Sequence, residues 1–258
     1  LLYTLRPFAI FLAIPGAISV AIRHSMGHGA IMTLDIKICG LKTPEAIHAA
    51  VARGASHIGF IHFDRSPRHL SVAQMAALRP LVAAPARLVV VTVDPDDETL
   101  EAITDWVRPD MIQLHGHETP SRVAAIRAAT GIPVMKALSV GSAEDLRGID
   151  AYRGIADRIL LDAKRPKGSV LPGGNGVAFD WDLLAVLDAG DEYMLSGGLD
   201  ADNIAEALAR AQPSGLDVSS GVESAPGIKD TGLIHGFFDA LDKARLNGAG
   251  LHPERSAT

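Results

Sequence analysis

From Leu34 onward the chain alternates short runs of aliphatic and β-branched residues with amphipathic stretches of helical length, and does so eight times. Expected strands cover 34–40, 57–63, 87–93, 111–116, 133–140, 158–164, 192–198 and 216–222. An expected helix follows each, at 44–53, 72–82, 97–107, 120–129, 143–152, 181–187, 202–211 and 232–245. Local chemistry marks several boundaries. Thr43-Pro44-Glu45 supplies a cap, a proline at the first helical position and an acid in the first turn. Ser71 and Asp200 are further caps, and Gly54 and Gly131 lie just past helix ends. Eight such units in about 210 residues match an α/β fold of one (β/α)8 TIM barrel, with an open doubly wound sheet as the alternative. No composition break or Pro/Ser-rich linker divides the units, which favours closure in a single domain.

Hydrophobic residues make up 48% of the 258-residue chain, ample for a large core. The net charge of −6, without a long run of one sign, argues against nucleic acid as the main partner. Residues 1–33 stand apart. Leu1 to Ile22 is strongly apolar but interrupted by Arg6, Pro7, Pro15 and Gly16. It reads either as a leader or membrane anchor, or as an over-extended start ahead of Met32. The expected division is therefore an apolar extension at 1–33 outside the fold, a barrel at 34–248 and a tail at 249–258. No membrane contact is expected unless that extension is genuine.

In a barrel of this kind the site lies at the carboxyl ends of the strands. Polar residues gather there: Cys39 on the first strand, Arg68 after the second, Gln113 and His115 on the fourth, Asp162 on the sixth, Ser196-Gly197-Gly198 after the seventh, and Asp217 with Ser219-Ser220-Gly221 on the eighth. The amino ends offer no comparable set. Cys39 is the only cysteine, so no internal disulfide is possible, and a reducing compartment fits. Strand parity puts Asp35, Lys37 and Cys39 on one face, with Ile36 and Ile38 on the other. Lys37 then points into the barrel and needs a carboxylate, Asp217 or Asp162. It either lowers the thiol pKa or serves only as a structural ion pair. Asp162 reads as a general acid or base, a metal ligand or a structural cap. No ligand-spaced cluster accompanies it, and the nearest candidate, His115-Gly116-His117, is a poor one. Arg68 is suited to a carboxylate or to a surface ion pair. Gly197 and Gly198 let backbone N–H groups approach a ligand, and 219–223 is expected to open a short helix facing an anion, so the two loops together read as a phosphate site. The segment 165–177, with Gly173-Gly174-Asn175-Gly176, is long enough to be functional.

These motifs occur in a telling order. Lys37-Ile-Cys-Gly40, Gln113-Leu-His-Gly116, Leu160-Leu-Asp162, Gly173-Gly-Asn-Gly176 with Phe179-Asp-Trp181, Leu195-Ser-Gly-Gly198 and Asp217-Val-Ser-Ser-Gly-Val-Glu223 closely resemble the phosphoribosylanthranilate isomerases of tryptophan biosynthesis, over about residues 34–246. The resemblance implies an Amadori rearrangement of N-(5-phosphoribosyl)anthranilate to 1-(2-carboxyphenylamino)-1-deoxyribulose 5-phosphate. It implies Asp162 as general acid and Cys39 as general base. Arg68, Gln113, His115 and Asp217 would bind substrate, and Gly174, Gly197, Gly198, Ser219, Ser220 and Gly221 would bind the phosphate. No metal or redox cofactor is implied, since hydrogen moves within one molecule. The expected partner is a small phosphoribosyl substrate, the location cytoplasmic, and the state monomer or homodimer. His62 and Asp64 depart from the family pattern in the second loop. Rival readings are an aldose–ketose isomerase of histidine biosynthesis, which would use two carboxylates, indole-glycerol-phosphate synthase, whose Lys/Glu set is missing, and a tethered phosphosugar-binding protein.

Overall fold

The computed structural model describes residues 34–164, 181–187 and 191–249. Eight parallel strands form a closed barrel: β1 Asp35–Cys39, β2 His57–His62, β3 Arg87–Thr92, β4 Met111–Leu114, β5 Val134–Val140, β6 Arg158–Ala163, β7 Tyr193–Leu195 and β8 Gly215–Val218. Closure is direct, because β1 pairs with β8 in the register Asp35↔Gly215 and Lys37↔Asp217. That register excludes the open sheet.

The return helices are α1 Pro44–Ala52, α2 Val72–Leu78, α3 Asp97–Ala102, α4 Pro120–Thr130, α5 Ala143–Leu146, α6 Ile204–Arg210 and α7 Thr231–Ala249. Between β6 and β7 the described part is a 3-10 helix, Trp181–Val186. The expected starts hold where side chains satisfy free N–H groups. The Thr43 hydroxyl accepts from Ala46 N, and Ser71 and Gln74 form a reciprocal capping box. Several helices change character before their expected ends. Pro80 removes the N–H that would bond to Ala76, so the chain tightens to a 3-10 turn at Arg79–Leu81. The third helix widens into a π turn at Ile103–Val107 and stops on left-handed Arg108, φ 52°. The fifth gives way to 3-10 geometry at Arg147–Tyr152.

Side-chain alternation sorts the core into two shells. Val89, Met111, Met135, Leu160 and Met194 fill the lower bore. Ile36, Ile38, Ile58, Phe60, Leu88 and Val90 point outward beneath the helices. Burying each such side chain stabilises the fold by about 1.5–3 kcal/mol. The short helix expected at 219–223 does not form as such. One 3-10 turn, Ser220–Val222, is followed by a two-stranded hairpin of β9 Glu223–Ala225 and β10 Ile228–Lys229. Val222 is needed in the core, and the Pro226-Gly227 turn folds the chain back before a helix can lengthen. Among the described residues no helix is long and apolar enough to cross a membrane.

Candidate active site

Cys39, Arg68, Gln113, His115, Asp162, Asp217 and Ser219 line one cleft at the carboxyl ends of the strands, about 530 Å3 counted to its open mouth. Two glycines make room on the β1 side. A Cβ on Gly59 would lie 2.9 Å from the Cys39 sulfur, so only glycine in β2 leaves space for the thiol. Gly40 turns the chain with φ 77°, and a Cβ there would lie 2.6 Å from Cδ of Arg68.

Lys37 is fully buried one layer below Cys39, and its Nζ lies 2.9 Å from Oδ1 of Asp217. Asp217 is therefore its carboxylate partner, rather than Asp162. Burial opposes the Lys37 charge, but Asp217 and Cys39 outweigh it and hold its pKa above the ordinary value. Cys39 behaves differently. Burial pushes the thiol up, Asp217 pushes it further, and the Lys37 and Lys229 ammoniums only partly offset them. The net shift is upward, so the lowered thiol envisaged from Lys37 alone is not what this site produces. The thiolate here is scarce but strongly basic.

Arg68 is buried rather than on the surface. Its Nε and Nη2 each donate to Glu223 at 2.7 Å, a fork-to-carboxylate pair. Glu223 also accepts from Lys229 Nζ at 2.7 Å, and that ammonium reaches the Ser219 carbonyl at 2.8 Å. Burial disfavours the Glu223 charge, yet Arg68 and Lys229 hold its pKa below the usual carboxylate range. Burial brings Lys229 down to about 8. No role was expected for Glu223 or Lys229. Glu223 ends a conspicuous motif, but Lys229 gives no signal until the hairpin folds it back. The unusual His62 and Asp64 brace the loop that carries Arg68. His62 Nδ1 donates to the Leu70 carbonyl at 2.9 Å, and His69 Nε2 sits 3.1 Å from Asp64.

On the far side, Gln113 Nε2 donates to His115 Nδ1 at 3.1 Å. An amide nitrogen only donates, so Nδ1 is the acceptor and the neutral ring carries its proton on Nε2. That Nε2 lies 3.3 Å from Oδ2 of Asp162, at 14% and 5% side-chain exposure. It is not aligned into a hydrogen bond with it, and both His115 Nε2 and Gln113 Oε1 are buried without a partner. Such atoms facing a cleft are places for ligand atoms. His117 turns away, exposed, toward Asp94 at 3.2 Å, so the two histidines do not converge.

Of the two loops expected to hold a phosphate, Ser196 and Ser219 line the cleft. No described residue accepts from the backbone N–H of Gly197 or Gly198, and the Ser219 hydroxyl donates to the Cys39 carbonyl at 3.1 Å. Ser220 and Gly221 form the 3-10 turn that follows. Gly174 falls outside the described residues, with the rest of 165–180.

The amino ends are more polar than expected. His57 is buried, its Nδ1 lies 2.9 Å from the Ser56 hydroxyl, and Arg158 pairs with Asp35 at 2.6 Å. Burial brings His57 down to about 4, so it is neutral there.

Fold and cleft together define a (β/α)8 barrel that gathers a buried cysteine and a buried aspartate in one cleft at the carboxyl ends of its strands. A profile of N-(5'-phosphoribosyl)anthranilate (PRA) isomerase matches residues 36–240. The chain is 61% identical over 213 residues to N-(5'-phosphoribosyl)anthranilate isomerase of Brucella canis, covering 83% of this chain and 96% of that one. The solved phosphoribosyl anthranilate isomerase of Thermotoga maritima superposes with TM-score 0.73 at 31% identity, over 82% of this chain and all of that one (100%). A second solved phosphoribosyl anthranilate isomerase, in complex with reduced 1-(o-carboxyphenylamino)-1-deoxyribulose 5-phosphate, gives TM-score 0.71 at 30% identity, over 82% of this chain and 100% of that one. The chain belongs to the N-(5'-phosphoribosyl)anthranilate isomerase family, enzymes that carry out an Amadori rearrangement in tryptophan biosynthesis.

Proposed function

We propose that this barrel converts N-(5-phosphoribosyl)anthranilate to 1-(2-carboxyphenylamino)-1-deoxyribulose 5-phosphate with Asp162 as acid and Cys39 as base. The observation that carries the assignment is their placement: two buried titratable groups, on β6 and β1, lining one cleft. The phosphate docks against the backbone of Gly197, Gly198 and Ser219–Gly221, with Gly174 as a further contact. This remote anchor turns binding energy into positioning of the ribose. Arg68 takes the anthranilate carboxylate, and Gln113, His115 and Asp217 orient the sugar. Asp162 then delivers a proton to the ring oxygen, the C1–O bond breaks, and a Schiff base forms between C1 and nitrogen. Cys39 thiolate removes the C2 proton. The resulting enolamine gains a proton at C1, loses the proton of its C2 hydroxyl and becomes the ketone, so no electron leaves the molecule.

The high pKa of Cys39 suits a base that must take a proton from carbon, because basicity rises with pKa. The reduced product analogue held by a solved relative has the carboxylate and phosphate that this cleft is read as receiving. All proposed site residues come from one chain, so a monomer or a homodimer can carry the site. A free thiol is best kept in the cytoplasm, and we place the enzyme there. None of the proposed site residues falls within residues 1–31, so a chain starting at Met32 should keep full activity. The deciding experiment is turnover of the anthranilate riboside by the purified protein and by its Cys39→Ala and Asp162→Asn variants. Full rates in either variant would remove that residue from the mechanism.

A further inference from the structure

Outside the bore lies a second buried ammonium that the chemistry above does not use. Lys136 is on β5, with side-chain parity opposite to Met135 and Ala137, and it pairs with Glu118 at 2.8 Å, each side chain 2% exposed. Its other hydrogen bonds go to backbone, and its ammonium lies 5.9 Å from the centre of the Tyr152 ring. Lys136 Nζ donates to the Gly116 carbonyl at 2.8 Å and to the Leu114 carbonyl at 3.3 Å. Glu118 in turn accepts from Gly116 N at 3.0 Å and from Asp94 N at 2.9 Å. The residue enclosed by these contacts is His115, whose own N–H donates to the Thr92 carbonyl at 2.9 Å. The peptide groups on both sides of His115 are thus held by one ion pair.

A buried ion pair is a poor source of net stability, since desolvation consumes most of its attraction, and an apolar pair of equal volume would fill the same space. An apolar pair could not hold two carbonyls and two N–H groups. We propose that Lys136 and Glu118 are a positioning pair for the reaction, fixing the backbone at 114–118 so that His115 Nε2 stays beside Asp162 and the substrate. This rests on the reading above that His115 serves the substrate.

The test is a double-variant cycle in the full chain. Lys136→Met alone should lower kcat about tenfold with KM within about twofold, because a residue acting through another costs orientation more than affinity. His115→Ala should lower kcat at least as much. In the His115→Ala background, adding Lys136→Met should cost no more than about twofold, since coupled residues are not additive. Lys136→Arg, which keeps the charge, should recover part of the rate, and Glu118→Gln reads the same coupling where Lys136→Met folds poorly. Losses that multiply across the cycle, or a wild-type kcat in Lys136→Met, overturn the positioning role while leaving His115 in place. A wild-type kcat in His115→Ala overturns both this role and the assignment of His115 beneath it.

Discussion

Both ends of the barrel carry polar side chains and use them in different ways. At the amino ends, acids are spent on backbone and bases on acids. Asp110 Oδ2 accepts from Leu88 N at 2.7 Å and meets Arg79, while Asp157 Oδ2 accepts from Val134 N at 2.9 Å and is gripped by Arg127. The Ser56 hydroxyl accepts from Ile36 N at 2.8 Å. These groups stop strand starts from fraying into water. At the carboxyl ends, His115 Nε2 and Gln113 Oε1 are buried without partners, and Cys39 is held above its usual pKa by burial. At the amino end His57 Nε2 is also buried without a hydrogen-bond partner among the described residues, but it does not line the cleft that His115 and Gln113 line. What separates the two ends is therefore where the unmade hydrogen bonds lie, beside a cleft at one end and away from it at the other.

This contrast can be broken most sharply at Cys39. Cys39→Ala should lower kcat by about 10²–10⁴-fold with the fold intact, as removal of a general base does. Steady-state rates with circular dichroism check it, and near-normal turnover would put the carboxyl end on a par with the amino end. Asp162→Asn should cost about 10²-fold or more in kcat, because the amide keeps the shape but has no acidic proton to give. The variant should still bind the reduced product analogue in a calorimetric titration.

The pH profile sharpens the same contrast. A general base acts when deprotonated, and burial raises the Cys39 pKa, so its limb moves to higher pH. kcat should climb by up to about tenfold per pH unit through neutrality. Lys229, brought down to about 8, loses its charge within that climb and should bend the curve. A rate flat across that range would mean the thiol is not the titrating base. Next in size, Arg68→Lys should raise KM about tenfold with little change in kcat, since a lysine cannot present a planar fork. The smallest effect belongs to the other end. Arg127→Ala breaks an exposed pair with Asp157, so melting should fall by no more than about 2–4 °C and kcat should not move. A large loss of rate there would erase the distinction between the ends.

How much of this was legible beforehand follows from the range of each signal. The strand and helix order is written in local periodicity, and Thr43, Ser71 and Gly131 do at the helix ends what their side chains or lack of one dictate. Parity alone placed Lys37 under Cys39 and predicted a carboxylate for it. Parity could not choose between Asp217 and Asp162, since that depends on which strand lies beside β1. Arg68 was visible as a cation, but its fork with Glu223 joins residues 155 positions apart and needs the hairpin after β8. The direction of the Cys39 shift is set by burial and three neighbouring charges, Lys37, Asp217 and Lys229, and no count of neighbours along the chain supplies the burial. Lys136 shows the same limit, because a lysine in a strand reads as solvated until the loop after β4 folds over it.

The Lys37–Asp217 pair spans 180 residues and lies on the seam where β1 meets β8. Its consequence is temporal. A chain emerging from the ribosome makes β1 first and the aspartate that neutralises its ammonium nearly last. Until β8 arrives, Lys37 cannot be dehydrated, and the layer beneath the thiol stays wet. Ring closure and the drying of the layer beneath the thiol are thus one event, so a partly made barrel carries its cysteine without the burial that raises its pKa.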